Sequence, residues 1–525
     1  MMLLEREEIN KFSSTYYDLC IIGSGPAGLS LALEFDKTNY KVALLEAGSL
    51  KLTKTSKKLI RYKNISDHYG YQNIQRARIF GGTTLFWGGN NLPLTKFDFH
   101  ESNKNDLRKW PIRYDEYICY IDRAKKFLKI NRLSFADLNK RNIGKLNKNL
   151  NVSHWIFSKF PFRLKDVYLN KIKRITNVHL YLESNFLSFK SKNNKINEIS
   201  YRFGSSIKTI RAKNYVLATG GIENARILLD QLKKRNISIK HPKMLGKFFA
   251  EHPNASVASI EGPDAFKLFS EFDIKILNGN EFKPGIVIND IYKAKNNHLN
   301  GIFSIWPIPR KFSIVNNFKF LIELARRREV NFKFLFYLLI SVPGIIILIP
   351  NLFQRLRGKS INLNINKKKF DLRFMSETYP NKNCYISISK EVDSMNIHAA
   401  HLSWYLSKKD KIDFKRSVFL FKKFIESEYN VDVKIHRWLY KFDSNWAYYL
   451  NSDGHVGHHM GTTRMSSSAK NGIVDKNLCV FDYSNLFIAG SSVFPSYGFA
   501  NPTLSIVMLS IRLADYLKTN KLLKD

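Results

Sequence analysis

The sequence has little cysteine and no obvious targeting segment. Its four cysteines are scattered and form no Cys-x-x-Cys pair, which argues against a metal site or a disulfide framework and fits a reducing compartment. Residues 1–15 contain neither an apolar run with a cleavage site nor a twin-arginine motif, so we expect no export signal and a cytoplasmic location. The composition also excludes a collagen-like chain, a coiled coil and a disulfide-knit secreted scaffold.

Acidic residues are scarce, since 44 Asp and Glu stand against 84 Lys and Arg, a formal net charge of +40. Three interpretations fit this excess: the compositional bias of an AT-rich genome, an anionic membrane surface as partner, or nucleic acid. The sequence contains no zinc finger, RRM signature or basic leucine zipper, so we expect no nucleic-acid partner. With 44% hydrophobic residues in 525, the chain is globular and long enough for several domains.

One apolar stretch, residues 334–353, has no charged side chain and is flanked by basic residues on both sides. Its length just reaches that of a membrane span, but Pro343, Gly344 and Pro350 interrupt it, and the flanking charge is not asymmetric. Buried core helices and a kinked hairpin in the cytoplasmic leaflet both fit better than a true span. Peripheral attachment to the inner face of the membrane therefore stays open.

A glycine-rich turn near the N-terminus predicts a dinucleotide site. An apolar strand, 18–22, runs into the sequence GSGPAG, which is followed by a helix and by a second strand that ends at an acidic residue. In this context the glycines allow a tight turn and let a pyrophosphate approach the helix N-terminus, while the acid binds ribose hydroxyls. The predicted cofactor contacts here are Gly23, Gly25, Pro26, Ala27, Gly28 and Glu46.

Two later strands decide between FAD and NAD. The strand 215–218 ends in the small residues Ala218, Thr219 and Gly220, and the strand 486–489 ends in Gly490 and Ser491. With the first glycine turn, these make three strand-to-small-residue turns spread along most of the chain. One nucleotide site assembled from such distant segments is typical of FAD, so the sequence predicts FAD as the cofactor.

The motifs then resemble one family, the glucose–methanol–choline (GMC) oxidoreductases, and within it the short bacterial sugar and polyol dehydrogenases and pyranose-oxidase-like enzymes. The resemblance covers nearly the whole chain, from residue 17 to about 518, and is weakest over 266–358 and near 130–175. The matching stretches, in family order, are RIFGGTTLFWGG (78–89), WPI (110–112), LATGGIENAR (217–226), EHP (251–253), ETYPN (377–381), HHMGTTRM (458–465), VFP (493–495) and NPTL (501–504).

The resemblance implies two active-site residues. Hydride transfer from an alcohol to the flavin needs a base for the hydroxyl proton, and the family's catalytic histidine falls on His458. The rival interpretations are His459 as the base, or a metal cluster that also includes His455 and His436, although we expect no metal because no acidic or cysteine partner has suitable spacing. The second residue, His or Asn in the family, is Asn501 here.

Asn501 precedes Pro502, and this pair is also what an ordinary helix start requires, with Asn as the N-cap and Pro at the first position. A helix that begins under the flavin would stabilise negative charge on the reduced ring. Several relatives in the family attach FAD covalently near the glycine segment, but the corresponding Phe86 cannot form that bond, so we predict non-covalent FAD. The remaining predicted cofactor contacts are Gly81, Gly82, Thr83, Thr84, Trp87, Gly88, Asn501, Pro502 and Thr503.

The predicted fold class is α/β (α+β overall), with a Rossmann-like FAD-binding domain of GMC or p-hydroxybenzoate-hydroxylase type and a second, sheet-containing substrate domain. We expect a discontinuous FAD domain over 14–105, 178–260 and 450–525, a helical connection over 106–177, and a substrate domain over 261–449. The predicted function is FAD-dependent oxidation of a CH–OH group on a sugar, polyol or glycoconjugate. A flavin monooxygenase or reductase, and a membrane-docked flavoprotein scaffold, are the alternatives; oxygen, a quinone or a cytochrome is the electron acceptor.

Overall fold

The computed structural model describes most of the chain, and the statements below concern that part. The described residues are 15–60, 62–66, 76–100, 106–141, 143–144, 146–159, 162–309, 332, 335, 365–441, 446–450 and 457–520. The predicted apolar segment 334–353 lies outside them except for Leu335. Within the described ranges, no helix combines the length and apolar character needed to cross a bilayer.

The strands are numbered in chain order. They are β1 (Tyr16–Ile22), β2 (Val42–Leu45), β3 (Tyr62–Asn64), β4 (Asn90–Asn91), β5 (Leu150–Phe157), β6 (Val178–Tyr181), β7 (Ser184–Lys192), β8 (Lys195–Phe203), β9 (Ser206–Leu217), β10 (Asn254–Glu261), β11 (Lys275–Leu277), β12 (Asn280–Ile288), β13 (Gly301–Pro309), β14 (Ile365–Ser376), β15 (Tyr385–Val392), β16 (His398–Ser403), β17 (Asp432–Ile435) and β18 (Leu486–Ile488).

The helices are numbered in the same way. They are α1 (Pro26–Leu33), α2 (Lys54–Leu59), α3 (Tyr114–Ile118), α4 (Ile121–Phe127), α5 (Phe135–Asn139), α6 (Leu164–Ile172), α7 (Glu223–Lys233), α8 (Ala265–Glu271), α9 (Asp290–Asn296), α10 (Lys408–Glu426), α11 (Trp446–Tyr449) and α12 (Pro502–Thr519).

The first sheet is the nucleotide-binding sheet. Its parallel part runs in the order β6-β2-β1-β9, with β18 also paired to the end of β9. The strands β2, β6 and β18 are buried at every residue, as expected for a parallel sheet covered on both faces. The first half of β9 pairs instead with β8, and β7 and β8 form an antiparallel hairpin. The predicted Rossmann-like domain with a second sheet is therefore confirmed.

The second sheet is antiparallel, in the order β17-β10-β14-β13-β12-β5-β4, with β11 added on β12. Three of its strands come from outside the predicted substrate domain. The strand β5 lies in the region expected to be a helical connection, and β4 and β10 lie in segments expected to belong to the FAD domain. Short segments of a chain join whichever sheet completes their backbone hydrogen bonds, which local pattern does not reveal. A third, small sheet has the order β15-β16-β3.

Candidate active site

The predicted glycine turn joins β1 to α1. Gly23 has φ of +107°, and a Cβ there would lie 2.6 Å from the carbonyl oxygen of Ala218, so only glycine fits. A Cβ on Gly28 would lie 1.8 Å from the Gly23 carbonyl oxygen, which lets α1 pack closely on the turn. Gly25 is the N-cap of α1, with no side-chain cap, and a Cβ there would meet no atom within 4 Å. Gly25 therefore leaves open space beside the N-terminus of α1.

The second glycine segment lies directly on the first. A Cβ on Gly82 would be 2.9 Å from Cα of Gly25, and the Gly81 N–H donates to the Ser24 carbonyl oxygen over 3.2 Å. The hydroxyl of Thr84 is used inside this turn, because it donates to the carbonyl of Gly81 over 2.7 Å. Of the other predicted contacts here, Thr83 and Gly88 are exposed, while Trp87 is half-buried and its indole donates to the Phe162 carbonyl.

Asn224, at the start of α7, connects the two later turns. Its side-chain oxygen accepts from the N–H and the hydroxyl of Thr219, over 2.9 and 2.6 Å. Its amide nitrogen donates to the carbonyl of Ala489 and to the hydroxyl of Ser492. Gly220 has φ of +92° and would present a Cβ to open space, as Gly25 does. Gly490, with φ of +121°, and the buried Ser491 follow Ala489 directly.

Glu46 directly follows β2, next to the first turn, and is buried. One carboxylate oxygen accepts from the N–H and hydroxyl of Ser24, and the other accepts from the N–H of Gly48 over 2.7 Å. Burial raises the pKa of this carboxyl, and these hydrogen bonds oppose that rise. Glu46 therefore also holds the glycine turn in place, in addition to its predicted contact with ribose. That contact itself stays a prediction.

His458 lies in a chain of hydrogen bonds. Its Nδ1 is 2.8 Å from Nδ1 of His252, and its Nε2 is 3.3 Å from Nδ2 of Asn501. The remaining nitrogen of His252, Nε2, is 3.0 Å from the Gly498 carbonyl oxygen. Burial lowers the pKa of His458 to about 4, and burial and the neighbouring His458 hold that of His252 well below its ordinary value. Both rings are therefore neutral at physiological pH.

Asn501 is the N-cap of α12, but its side chain makes no capping hydrogen bond. Its Oδ1 instead accepts from Nε1 of Trp155 in β5, over 2.9 Å, and its amide nitrogen faces His458. The side chain of Asn501 therefore does not cap the helix, and its role in catalysis stays a prediction. Pro502, at the first helical position, is buried, and Thr503 is half-buried.

The neighbouring histidines have other partners. Burial lowers the pKa of His459 to about 3, and its Nε2 lies 3.9 Å from the carboxylate of Glu251. His436 bonds to the hydroxyl of Ser256 in the second sheet. His455 lies outside the described residues.

Glu251 is an acidic neighbour that sequence spacing did not reveal. Its Oε1 accepts from the backbone N–H groups of both His252 and His458. One ligand atom from each of these three residues lies within 4.8 Å of the others, close enough for a metal ion. Both ring nitrogens of His252 and of His458, and Oε1 of Glu251, take part in the hydrogen bonds described above.

A buried charge network lies beside the nucleotide turns. Glu223, at the start of α7, forms ion pairs with Arg76, Arg78 and Arg226. Arg226 also pairs with Asp393, over 2.5 Å. The three guanidinium groups hold the pKa of Glu223 far below its ordinary value, in spite of its burial.

The segments predicted to bind the cofactor thus form one connected group. The turn that begins at Gly23 contacts the glycine segment at Gly82 and the strand end at Ala218. Asn224 connects that strand end to the one at Ala489, and the N–H of Gly461 donates to the carbonyl of Ser491. Open glycine backbone at Gly25 and Gly220, beside an uncapped helix N-terminus, fits a pyrophosphate-containing cofactor. This fold and site define an FAD-binding oxidoreductase.

Comparison with known proteins gives the family. The family model described as GMC oxidoreductase matches residues 380–510, which include both His458 and Asn501. A second model, described as pyridine nucleotide-disulphide oxidoreductase, matches residues 17–245. These matches support a GMC oxidoreductase, and FAD is its cofactor.

Solved structures share the fold. Pyridoxine 4-oxidase from Mesorbium loti is 14% identical with a TM-score of 0.58, and the match covers 96% of this chain and 99% of that one. Formate oxidase from Aspergillus oryzae RIB40 is 13% identical with a TM-score of 0.57, covering 97% and 99%. An FAD-dependent oxidoreductase from Chaetomium thermophilum is 14% identical with a TM-score of 0.56, covering 96% and 99%.

A curated relative matches only in part. An uncharacterized protein of Methanocaldococcus jannaschii is 28% identical over 229 residues, which are 42% of this chain. The match takes in 53% of that protein, so the chain spans about half the length of this relative.

Sequence reasoning missed three of the residues that build the site. Asn224 and His252 lie within motifs that were recognised, GGIENAR and EHP, but the motifs alone assign them no role. Trp155 lies in a strand of the second sheet and carries no local signal, because its contact with Asn501 joins positions that are far apart in the chain.

Proposed function

We propose that the protein oxidises a CH–OH group, with His458 as the base and Asn501 as the group that orients the substrate oxygen. The observation that carries the proposal is the pairing of His458 Nε2 with the Asn501 amide nitrogen, at 3.3 Å, where the cofactor segments converge. A neutral imidazole beside an amide donor is the pair that removal of a hydroxyl proton requires.

FAD, His458 and Asn501 have separate roles in the proposed reaction. FAD supplies the acceptor for the hydride that leaves the substrate carbon. His458 takes the hydroxyl proton at Nε2, so that a carbonyl product and a protonated imidazole result. The Nε2 lone pair accepts one hydrogen bond, so the substrate hydroxyl replaces the Asn501 amide at Nε2. The amide N–H of Asn501 then donates to the substrate oxygen and holds it beside His458. Because Asn501 does not cap α12, the N–H groups of that helix's first turn also remain available to negative charge.

We propose a sugar, polyol or glycoconjugate as substrate, on the resemblance of the motifs to sugar and polyol dehydrogenases. The fold is shared with proteins described as a pyridoxine 4-oxidase and a formate oxidase, so pyridoxine and formate belong in the test panel. Oxygen, a quinone or a cytochrome reoxidises the flavin. Attachment to an anionic membrane through 334–353 stays a prediction, because that segment lies outside the described residues.

The match to pyridine nucleotide-disulphide oxidoreductases favours a reductase as the second candidate. A redox-active disulfide needs two neighbouring cysteines, but the four cysteines of this chain are widely spaced in the sequence and all are free. The matched residues, 17–245, contain the nucleotide turns and lack both His458 and Asn501. The match therefore supports the FAD site more than a reductase activity.

Anaerobic reduction of the bound flavin tests the proposal. Glucose, glycerol, pyridoxine, formate and NAD(P)H are each mixed with the purified holoprotein, and loss of the flavin absorbance is followed by stopped flow. We expect an alcohol, and not NAD(P)H, to bleach the flavin. His458→Ala should slow that bleaching by about 10²- to 10⁴-fold while FAD stays bound. His241→Ala, a change at an exposed histidine, is the matched control. Bleaching at the wild-type rate in His458→Ala would contradict the assignment of the base.

A further inference from the structure

His252 is buried and lies behind His458, and its two ring nitrogens have different partners. A carbonyl oxygen only accepts hydrogen bonds, so Nε2 of His252, 3.0 Å from the Gly498 carbonyl oxygen, must carry a proton. The ring is neutral, so its Nδ1 has a free lone pair and accepts. The Nδ1 of His458, 2.8 Å away, must then be the donor. The contact with His252 therefore places the proton of the His458 ring on Nδ1.

The contact between Asn501 and His458, at the other end of this chain of hydrogen bonds, leads to the same result. An indole nitrogen only donates, so Trp155 Nε1 fixes Oδ1 of Asn501 as the acceptor of their 2.9 Å hydrogen bond. The amide nitrogen of Asn501 must then face His458, and it can only donate to Nε2, over 3.3 Å. An Nε2 that accepts carries no proton. Two independent groups, the carbonyl of Gly498 and the indole of Trp155, therefore require the same tautomer of His458.

We propose that His252 is a positioning residue that holds His458 in the Nδ1–H tautomer, so that Nε2 faces the substrate as the free base. This inference rests on the proposed role of His458. The ring of His252 is itself held by edge-to-face packing on Tyr497, with centroids 5.0 Å apart. After proton transfer, both nitrogens of His458 carry protons, and Nδ1–H still donates to the neutral His252 ring. No carboxylate is needed at this position.

Substitutions at His252 separate its two contacts. In His252→Asn, the side-chain oxygen lies close to the place of the ring Nδ1 and can accept from His458. In His252→Phe, the ring that packs on Tyr497 is kept but the acceptor is lost. His252→Gln reaches toward Gly498 and presents no acceptor at the Nδ1 position, so it replaces the Phe variant if that variant does not fold.

The test uses holoenzyme with ¹⁵N-labelled histidine at neutral pH. Two-bond ¹H–¹⁵N correlations, assigned with His458→Ala, report the tautomer directly, and the same samples are reduced with whichever alcohol of the panel bleaches the wild type fastest. We expect the Nδ1–H pattern in the wild type and in His252→Asn. In His252→Phe only the longer contact with Asn501, at 3.3 Å, still favours this tautomer. We therefore expect a mixture of tautomers and a rate of flavin reduction lower by about 10- to 100-fold, the loss that an unmade hydrogen bond produces.

Two results would overturn the inference: an unchanged Nδ1–H pattern in His252→Phe, or equal losses of rate in the Asn and Phe variants. The tautomer measurement does not depend on turnover. Suppose that His458→Ala oxidises the alcohol at the wild-type rate while the tautomer of His458, in the samples that keep it, still changes with the residue at position 252. In that case the assignment of the base fails and the positioning contact stands.

Discussion

Trp155 and Asn501 are joined by a hydrogen bond of 2.9 Å that connects the second sheet to the N-cap residue of helix α12. This contact turns the amide of Asn501 away from the helix N-terminus that it precedes and toward His458. The helix therefore begins without a side-chain cap at the position where Asn is usually stabilising. The side chain of Asn501 thus provides a hydrogen-bond donor to His458 instead of a helix cap.

Asn501→Ser separates these two properties. Serine is a good N-cap, worth up to about 1 kcal/mol, but it is too short to reach His458 or Trp155. Since the buried indole of Trp155 also loses its acceptor, we expect little net change in thermal stability. Flavin reduction by alcohols should be slower than in the wild type. Thermal melts and stopped-flow reduction of the same preparation check both. A serine variant that reduces its flavin at the wild-type rate would show that Asn501 is not needed.

Asn501→Asp tests the donor directly. A carboxylate can still accept from Trp155, but it cannot donate to Nε2 of His458 and would favour the protonated imidazole. We expect slower reduction at neutral pH and an upward shift in the pH at which the rate begins to fall. Asn501→Ser serves as the uncharged comparison, and the same shift in both variants would argue against an electrostatic cause.

The pH profile of the wild type follows from the buried base. Burial lowers the pKa of His458 to about 4, so the ring stays neutral, and able to accept a proton, well below its ordinary titration range. The second-order rate of flavin reduction should therefore be flat from about pH 8 to about pH 5 and fall below that. An acid limb centred near the ordinary histidine pKa would contradict this prediction.

Flavin release tests the position of Phe86, which is 49% exposed next to the glycine segment. A phenyl ring cannot form the bond by which some GMC relatives hold their flavin. Acid precipitation should therefore leave the yellow colour in the supernatant. A covalent flavoprotein treated in parallel is the control, and colour retained in the pellet of the present protein would show a covalent link elsewhere.

Glu377 has a buried carboxyl whose ionisation should lower the free energy of unfolding at high pH. Burial raises its pKa to about 7, its Oε1 accepts from the N–H of Asn300, and its Oε2 has no hydrogen-bond partner among the described residues. The folded pKa lies above the unfolded one, so this group favours folding at low pH, and that contribution is lost as pH rises through about 7. The neutral Glu377→Gln keeps the acceptor for Asn300.

We therefore expect Glu377→Gln to raise the free energy of unfolding by about 1–2 kcal/mol near pH 8, with little effect near pH 5. Urea denaturation at both pH values measures this difference. A gain of equal size at the two values would show that ionisation of Glu377 is not the cause.

Glu223 balances three buried arginines, so its removal should be severe. Glu223→Ala leaves Arg76, Arg78 and Arg226 without their shared carboxylate, and loss of one partner from a buried ion pair costs about 3–5 kcal/mol. Urea denaturation of the holoprotein measures the loss. Glu198→Ala, which removes a partner of the largely exposed Arg211, is the control and should cost less than about 1 kcal/mol.

Much of the nucleotide site could be predicted from local pattern. The turn from Gly23 to Gly28 can be recognised because glycine is required wherever φ is positive or another backbone comes within contact distance, as at these two residues. Domain membership could not be predicted in the same way. The strand β5 looks like part of a connecting region until its hydrogen-bond partners in the second sheet are known.

The sequence by itself predicted the FAD-binding fold and the FAD cofactor, and it proposed His458 and Asn501 as the residues of the chemistry. These depend on short motifs whose physical requirements are local: a tight turn, a helix start, a small residue at a strand end. Only the tertiary structure decided how His458 is held. Its contacts with His252 and Asn501, and the contact of Asn501 with Trp155, join segments far apart in the chain. No local pattern encodes such contacts, because they arise only when both sheets are packed together.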